Sequence, residues 1–142
     1  MVKIMNETDD IVKMMADAPE EQRANMLTQR LKMLAGQPEE QRVKSLSGLI
    51  TSVTKLKPKK MKPFIATRTK VLMGLSKEEI EALLVGRLKA GKMVDEKVHK
   101  MDMMTTLEVA KEMGEDKLNM LKNMIKQVAE KHGLPAPQFG GN

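Results

Sequence analysis

The five-residue segment PEEQR occurs twice in this chain, at Pro19–Arg23 and again at Pro38–Arg42, and the two copies lie 19 residues apart. Proline is favoured at the first position of a helix, where its missing N–H would be unpaired in any case. The two glutamates that follow place negative charge at the positive end of the helix dipole. Each copy therefore predicts the start of a helix.

Apolar residues follow each copy at steps of three and four, which is the spacing of one apolar stripe along a helix. The stripes are Ala24, Leu27, Leu31 and Leu34 after the first copy, and Val43, Leu46, Ile50 and Val53 after the second. A unit of one helix and one turn cannot bury its own stripe, so neighbouring units must stack. Either a helical-repeat superhelix or a compact bundle satisfies this requirement, and a good helix start used twice by chance is the alternative explanation of the repeat.

The rest of the chain continues the helical pattern. A proline at position 58 follows Pro38 by 20 residues, and SKEE at Ser76–Glu79 is typical of a capping box. The spacing predicts a helix from there to about Gly91, a longer one over about 94–113 with Gly114 as its stop, and a last helix after it. With a first helix near 9–16, the prediction is an all-α fold of about seven short helices.

Composition supports this fold class and bears on the location expected for the protein. The chain has 15 methionines, no cysteine and only two aromatic residues, Phe64 and Phe139, so residues that favour strands are scarce. The N-terminal sequence MVKIMNETDDIV does not have the pattern of a leader peptide, and no apolar run reaches the length of a membrane span. We expect a cytoplasmic protein with one all-helical domain of ~19-residue repeats over residues 1–134 and a flexible tail over 135–142, in which Phe139 could dock into a partner.

The segments MMADAPEEQRANMLTQRLKML and MLAGQPEEQRVKSLSGLITSV resemble the helical superhelix repeats of the cytosolic N-terminal domain of the magnesium-transporter E family. The helical repeats of the flagellar motor-switch G protein are similar. The resemblance covers residues 14–53 and, more loosely, 73–91. The transporter domain senses magnesium through acidic residues that have no matching constellation in this sequence. The resemblance therefore implies a superhelix with an interaction role and no catalytic one.

Positive charge is concentrated in one third of the chain. Residues 41–77 contain no Asp or Glu and ten Lys or Arg, whereas the whole chain carries a net charge of +6, so the remainder carries 6 − 10 = −4. Such a block attracts polyanions. The predicted partner-binding residues are Lys55, Lys57, Lys59, Lys60, Lys62, Arg68 and Lys70. The favoured partner is an acidic protein.

Two alternatives and one simpler explanation of the block remain open. Nucleic acid would use the same lysines for phosphate contacts, but stacking on bases needs aromatic rings, and Phe64 is the only ring near the block. An accessory subunit of a larger enzyme complex would present a methionine-rich surface to its partners. The simpler explanation is a solvent-exposed loop whose lysines serve only solubility.

The sequence contains no pattern for catalysis, and we predict a non-enzymatic protein without cofactor or metal. The phosphate-binding glycine loop and the G-x-S-x-G elbow are absent. HKMDMM at His99–Met104 has the thioether and imidazole groups of a soft-metal site. However, Met101 and Met104 share a helical face with Val94 and Val98, so we expect them to pack in the core.

Overall fold

The computed structural model describes residues 6–137, which form seven α-helices and no strand. The helices are α1 (Glu7–Asp17), α2 (Glu20–Ala35), α3 (Glu39–Thr54), α4 (Pro58–Met73), α5 (Lys77–Ala90), α6 (Glu96–Met113) and α7 (Glu115–Lys131). The prediction of an all-α fold with about seven helices is confirmed. Phe139 lies outside the described residues.

From α2 onward, each helix begins 19 residues after the one before it. The first residues are Glu20, Glu39, Pro58, Lys77, Glu96 and Glu115. The period thus runs through six helices, although the PEEQR sequence is present at only two of them. Other local signals set the helix limits elsewhere. Ser76 and Glu79 form the predicted capping box at α5, and Gly114, at a φ of 126°, ends α6 and begins α7.

Helices α1 to α5 pack mainly against the second helix along the chain rather than against a sequence neighbour. Helices α1, α3, α5 and α7 form one row of successive contacts, and α2, α4 and α6 form another. The rows meet where α1 packs on α4, α2 on α5 and α3 on α6, and α6 and α7 also pack closely. This order, in which each added unit extends a row, is typical of a helical-repeat stack.

Ion pairs repeat along the rows with the same separation in sequence. Four of them join residues 50 positions apart: Glu20–Lys70, Glu39–Lys89, Lys62–Glu112 and Glu81–Lys131. Each pair links a helix to the second helix after it, so the pairs mark the stacking direction. Their groups are largely exposed, and pairs of this kind stabilise a fold by at most about 1 kcal/mol each.

The arginine of the first PEEQR copy closes the end of the preceding helix. Arg23 is buried, and its Nη1 donates to the carbonyl oxygens of Ala18 at 2.9 Å and Ala16 at 3.5 Å, while its Nε donates to Thr67 Oγ1 at 2.9 Å. These carbonyls lie at and beyond the end of α1, where no further turn of helix supplies a donor. Pro19 is the N-cap of α2 rather than its first residue, because its ψ of 151° is still extended.

The second copy repeats this arrangement one unit later. Arg42 Nη2 donates to the carbonyl oxygens of Ala35 at 3.0 Å and Gln37 at 2.6 Å, and its Nε donates to that of Leu34 at 3.0 Å. Ala35 and Gln37 lie 19 residues after the two carbonyls that Arg23 binds. The repeated five residues therefore encode a turn that closes one helix and opens the next.

Two helical glycines should respond in opposite ways to alanine. A Cβ added at Gly86 in α5 would stand 2.7 Å from Leu46 Cδ1 and 3.2 Å from Arg42 Cδ, whereas one at Gly48 in α3 meets nothing within 4 Å. Gly48→Ala should raise the free energy of unfolding by about 0.5–1 kcal/mol. Gly86→Ala should lower it, because the buried Leu46 must shift. Urea unfolding of both variants checks this, and a stabilised Gly86→Ala protein would contradict the packing described.

Candidate functional site at the start of α4

The predicted partner-binding residues lie at one corner of the fold, where α3 ends and α4 begins. Lys55 is the C-cap of α3 and Lys57 is the N-cap of α4, and the other five lie along α4. Local sequence explains the turn, since Pro58 suits the first helical position. In contrast to the other described helices, α4 has no acidic residue in its first turn.

Most of these basic groups are paired with acidic side chains that lie on other helices. The pairs are Lys55–Asp9 at 3.0 Å, Lys60–Asp17 at 3.3 Å, Lys62–Glu108 at 2.9 Å, Lys62–Glu112 at 2.6 Å, Arg68–Asp102 at 2.8 Å and Lys70–Glu20 at 3.4 Å. A segment without acids in the sequence is therefore not a surface without acids. The positive potential at this corner is lower than the sequence alone predicts.

Asp9 is the buried member of the Lys55 pair. A hydrogen bond from Ser52 Oγ, at 2.5 Å, is the main influence that lowers the pKa of this carboxyl, and Lys55 lowers it further against the opposing effect of burial. Lys55 thus holds α3 to α1 and is a structural residue as well as a candidate contact.

Arg68 is directed away from the surface lysines and into the interior. Its Nη1 donates to Asp102 Oδ1 at 2.8 Å and its Nη2 to Thr106 Oγ1 at 2.8 Å. Asp102 also accepts from Arg87, through Nε at 3.1 Å and Nη2 at 3.0 Å, and only 1% of its side chain is exposed. Burial alone would raise the pKa of Asp102, but the two guanidinium groups together hold it below its ordinary value.

Of the seven predicted partner-binding residues, two have no ion-pair partner among residues 6–137. These are Lys57 and Lys59, both exposed, at the N-terminal end of α4. Lys59 lines two open grooves, one of about 410 Å³ that it shares with Lys55, Lys57 and Lys60, and one of about 510 Å³ that it shares with Lys62 and Lys70. The free ammonium groups and the unopposed helix dipole form an electropositive corner, which we call the α4 corner: Lys55, Lys57, Lys59, Lys60 and Lys62.

Phe64, the only ring near the lysines in sequence, is 1% exposed and packs in the core with Met15 and Leu27. It is therefore unable to act as a stacking platform for bases.

The expectation for the methionines of α6 is wrong. Met101 and Met104 are exposed at 46% and 68%, whereas Met103 and Ala110 are buried. The reason is Asp102, whose bonds to two arginines turn its own face of the helix inward. Six methionines are exposed on the described part of the chain: Met14, Met33, Met93, Met101, Met104 and Met120.

The interior arginine–aspartate cluster is the feature that sequence reasoning missed. The single acidic residue of the HKMDMM segment, Asp102, was its one visible signal. His99 lies beside it with Nδ1 3.1 Å from Arg87 Nη1, and burial, with the charge of Arg87, lowers the pKa of this imidazole. Within residues 6–137, no group of three or more His, Asp or Glu side chains is placed to hold a metal ion.

Comparison of the chain with protein-family models, with curated proteins and with solved structures finds no match. The resemblance of residues 14–53 to the transporter and motor-switch repeats therefore stays a sequence-based hypothesis. Of the helices in the described range, none has the length and apolar character needed to cross a membrane.

Proposed function

We propose that this protein is a non-enzymatic helical-repeat scaffold of the cytoplasm that binds an acidic protein partner at the α4 corner. The observation that carries the proposal is the pair of exposed lysines, Lys57 and Lys59, that have no ion-pair partner in the described range at a helix start with no acid of its own. A helix N-terminus flanked by free ammonium groups favours carboxylates.

The paired lysines around them can take part as well. Lys60–Asp17 and the two Lys62 pairs join side chains that are each at least two-fifths exposed. Exposed pairs of this kind contribute at most about 1 kcal/mol, so a partner carboxylate can replace the internal acid at little cost. The charges would mainly speed association and set its salt dependence.

An acidic protein segment fits this corner better than nucleic acid does. The acids that meet the lysines, Asp17, Glu108 and Glu112, interrupt the positive surface. Proteins that bind single strands combine a positively charged groove along the backbone with aromatic stacking platforms, and the one aromatic ring near these lysines in sequence is buried. A short acidic peptide can instead contact isolated lysines.

Charge reversal at the corner tests the proposal. Fluorescence anisotropy would follow the binding of a labelled oligoglutamate peptide and of a labelled DNA duplex at roughly 50 and 200 mM salt. We expect Lys57→Glu/Lys59→Glu to weaken peptide binding about tenfold or more at the lower salt, because two attractive charges become repulsive. The matched control is Lys117→Glu/Lys126→Glu on α7, which changes the net charge equally.

The control should bind within about twofold of the wild type. Equal losses in both variants would show that net charge alone drives the binding. Duplex binding with a steep salt dependence and no peptide binding would favour the nucleic-acid alternative. If neither probe binds at the lower salt, the α4 corner is not a docking surface for anionic partners.

A further inference from the structure

A narrow cavity of about 100 Å³ lies in the interior between the rows of helices. Most of its lining is apolar, with Leu27, Phe64 and Leu121 among the residues that are 1% exposed. At one place the lining is charged, where Arg68, Arg87 and Asp102 meet. The cavity therefore combines a dry aliphatic wall with a cluster of guanidinium groups.

The charged part carries an excess of one positive charge. Two guanidinium groups share the single carboxylate of Asp102. Thr106 is neutral, and His99, which contacts Arg87, is also neutral because burial and that arginine disfavour its charged form. The other acids of α6 are paired on the surface, Glu96 with Lys100 and both Glu108 and Glu112 with Lys62. Nothing in the described chain balances the second arginine.

Arg68 retains donors for a further acceptor. It uses Nη1 for Asp102 and Nη2 for Thr106, and none of its hydrogen bonds to described residues uses Nε. The side chains of Arg68 and Arg87 keep 21% and 14% of their surface exposed, against 1% for Asp102. The two guanidinium groups are thus partly accessible to solvent, while the carboxylate they share is not.

We propose that this cavity binds a small amphipathic monoanion, a carboxylate on a short aliphatic chain. The carboxylate would accept charge-assisted hydrogen bonds from Arg68 and balance the excess positive charge. The chain would fill the apolar space, which displaces little or no water and adds van der Waals contacts. An apolar cavity of about 150 Å³ accommodates a benzene molecule, so a void of about 100 Å³ suits a chain of a few carbons. This site is distinct from the α4 corner.

The test compares three probes of equal length, pentanoate, 1-pentanol and pentylammonium, by calorimetry and by shifts of labelled leucine methyl groups in NMR spectra. Pentanoate should bind at least about tenfold more tightly than pentanol and should shift the methyl signals of Leu27 and Leu121. Pentylammonium should not bind. Acetate, which has the charge without the chain, should bind more weakly than pentanoate.

Two variants separate the charge from the cavity. Arg68→Met leaves Asp102 paired with Arg87 at net zero charge, so pentanoate should lose its advantage over pentanol. Leu72→Phe, at a partly buried position of the lining, should fill the space and abolish binding of both. Wild-type protein that binds no pentanoate, or that binds acetate equally well, overturns the proposal. So does a pentanoate preference that survives in Arg68→Met.

Discussion

Asp102→Asn is expected to lower the free energy of unfolding at neutral pH by about 3–5 kcal/mol. The change removes the one carboxylate shared by Arg68 and Arg87 and leaves two guanidinium groups without a counter-charge in the interior. Denaturant unfolding of both proteins measures the loss. Equal slopes of the free energy of unfolding against denaturant concentration would show that the variant changes stability and not the surface exposed on unfolding. Asp95→Asn, the same change at the N-cap of α6, is the matched control and should cost little, since asparagine also caps helices.

The loss should depend on pH with a definite sign. The folded-state pKa of Asp102 lies below the ordinary value of 3.8. Its stabilising contribution is therefore fully present above that ordinary value, neutral pH included, and is lost as pH falls from there through the folded pKa. The wild-type and Asp102→Asn stabilities should converge toward acid. A constant difference between about pH 7 and about pH 3 would mean that the asparagine acts through packing and not through charge.

Removal of all three charged side chains distinguishes two explanations of the loss in Asp102→Asn. Either the fold depends on the cluster as a whole, or it is destabilised only when one member is removed and the others are left unpaired. In Asp102→Leu/Arg68→Met/Arg87→Met no unpaired charge remains, so much of the lost stability should return. A triple variant as unstable as Asp102→Asn would show that the hydrogen bonds themselves, among them the one from Arg68 Nη2 to Thr106 Oγ1, hold α4, α5 and α6 together.

Arg23→Met is expected to cost about 3 kcal/mol. Methionine fills similar space, but the buried carbonyl of Ala16 and the hydroxyl of Thr67 lose a charged donor, as does the carbonyl of Ala18. Arg30→Met, on the same helix and without a hydrogen bond to the described residues, is the control and should change stability by less than about 0.5 kcal/mol. Thermal unfolding of both proteins measures the difference.

Equal stabilities of these two variants would contradict a closing role for the PEEQR arginine. Arg42→Met should show a smaller loss than Arg23→Met, because Arg42 is only half-buried and water can reach its carbonyl acceptors.

The helices themselves follow from local signals. Proline and glutamate at a helix start, a capping box at Ser76, a glycine at 114 and apolar steps of three and four act within a few residues of one another. Such signals operate in the same way in any tertiary context. For this reason the number of helices, most of their limits and the 19-residue spacing of the first two units could be predicted.

The candidate site could be predicted only in outline. The block of residues 41–77 predicted a basic patch, but Lys70 meets Glu20 and Lys62 meets Glu112, each 50 residues away. No local pattern shows that separation, because it arises from the packing of each helix on the second one after it. Only the fold shows which of the seven predicted partner-binding residues, Lys57 and Lys59, have no ion-pair partner in the described range.

The amino-acid sequence by itself determined that this chain is all-helical, where its helices begin and which third of it is rich in lysine and arginine, because those properties depend on neighbouring residues. The tertiary structure alone decided which charges are paired, that Arg68 turns inward to Asp102, and that an aliphatic cavity adjoins this cluster. Those properties depend on side chains from four or more helices whose distances in space are set by stacking and not by position in the chain.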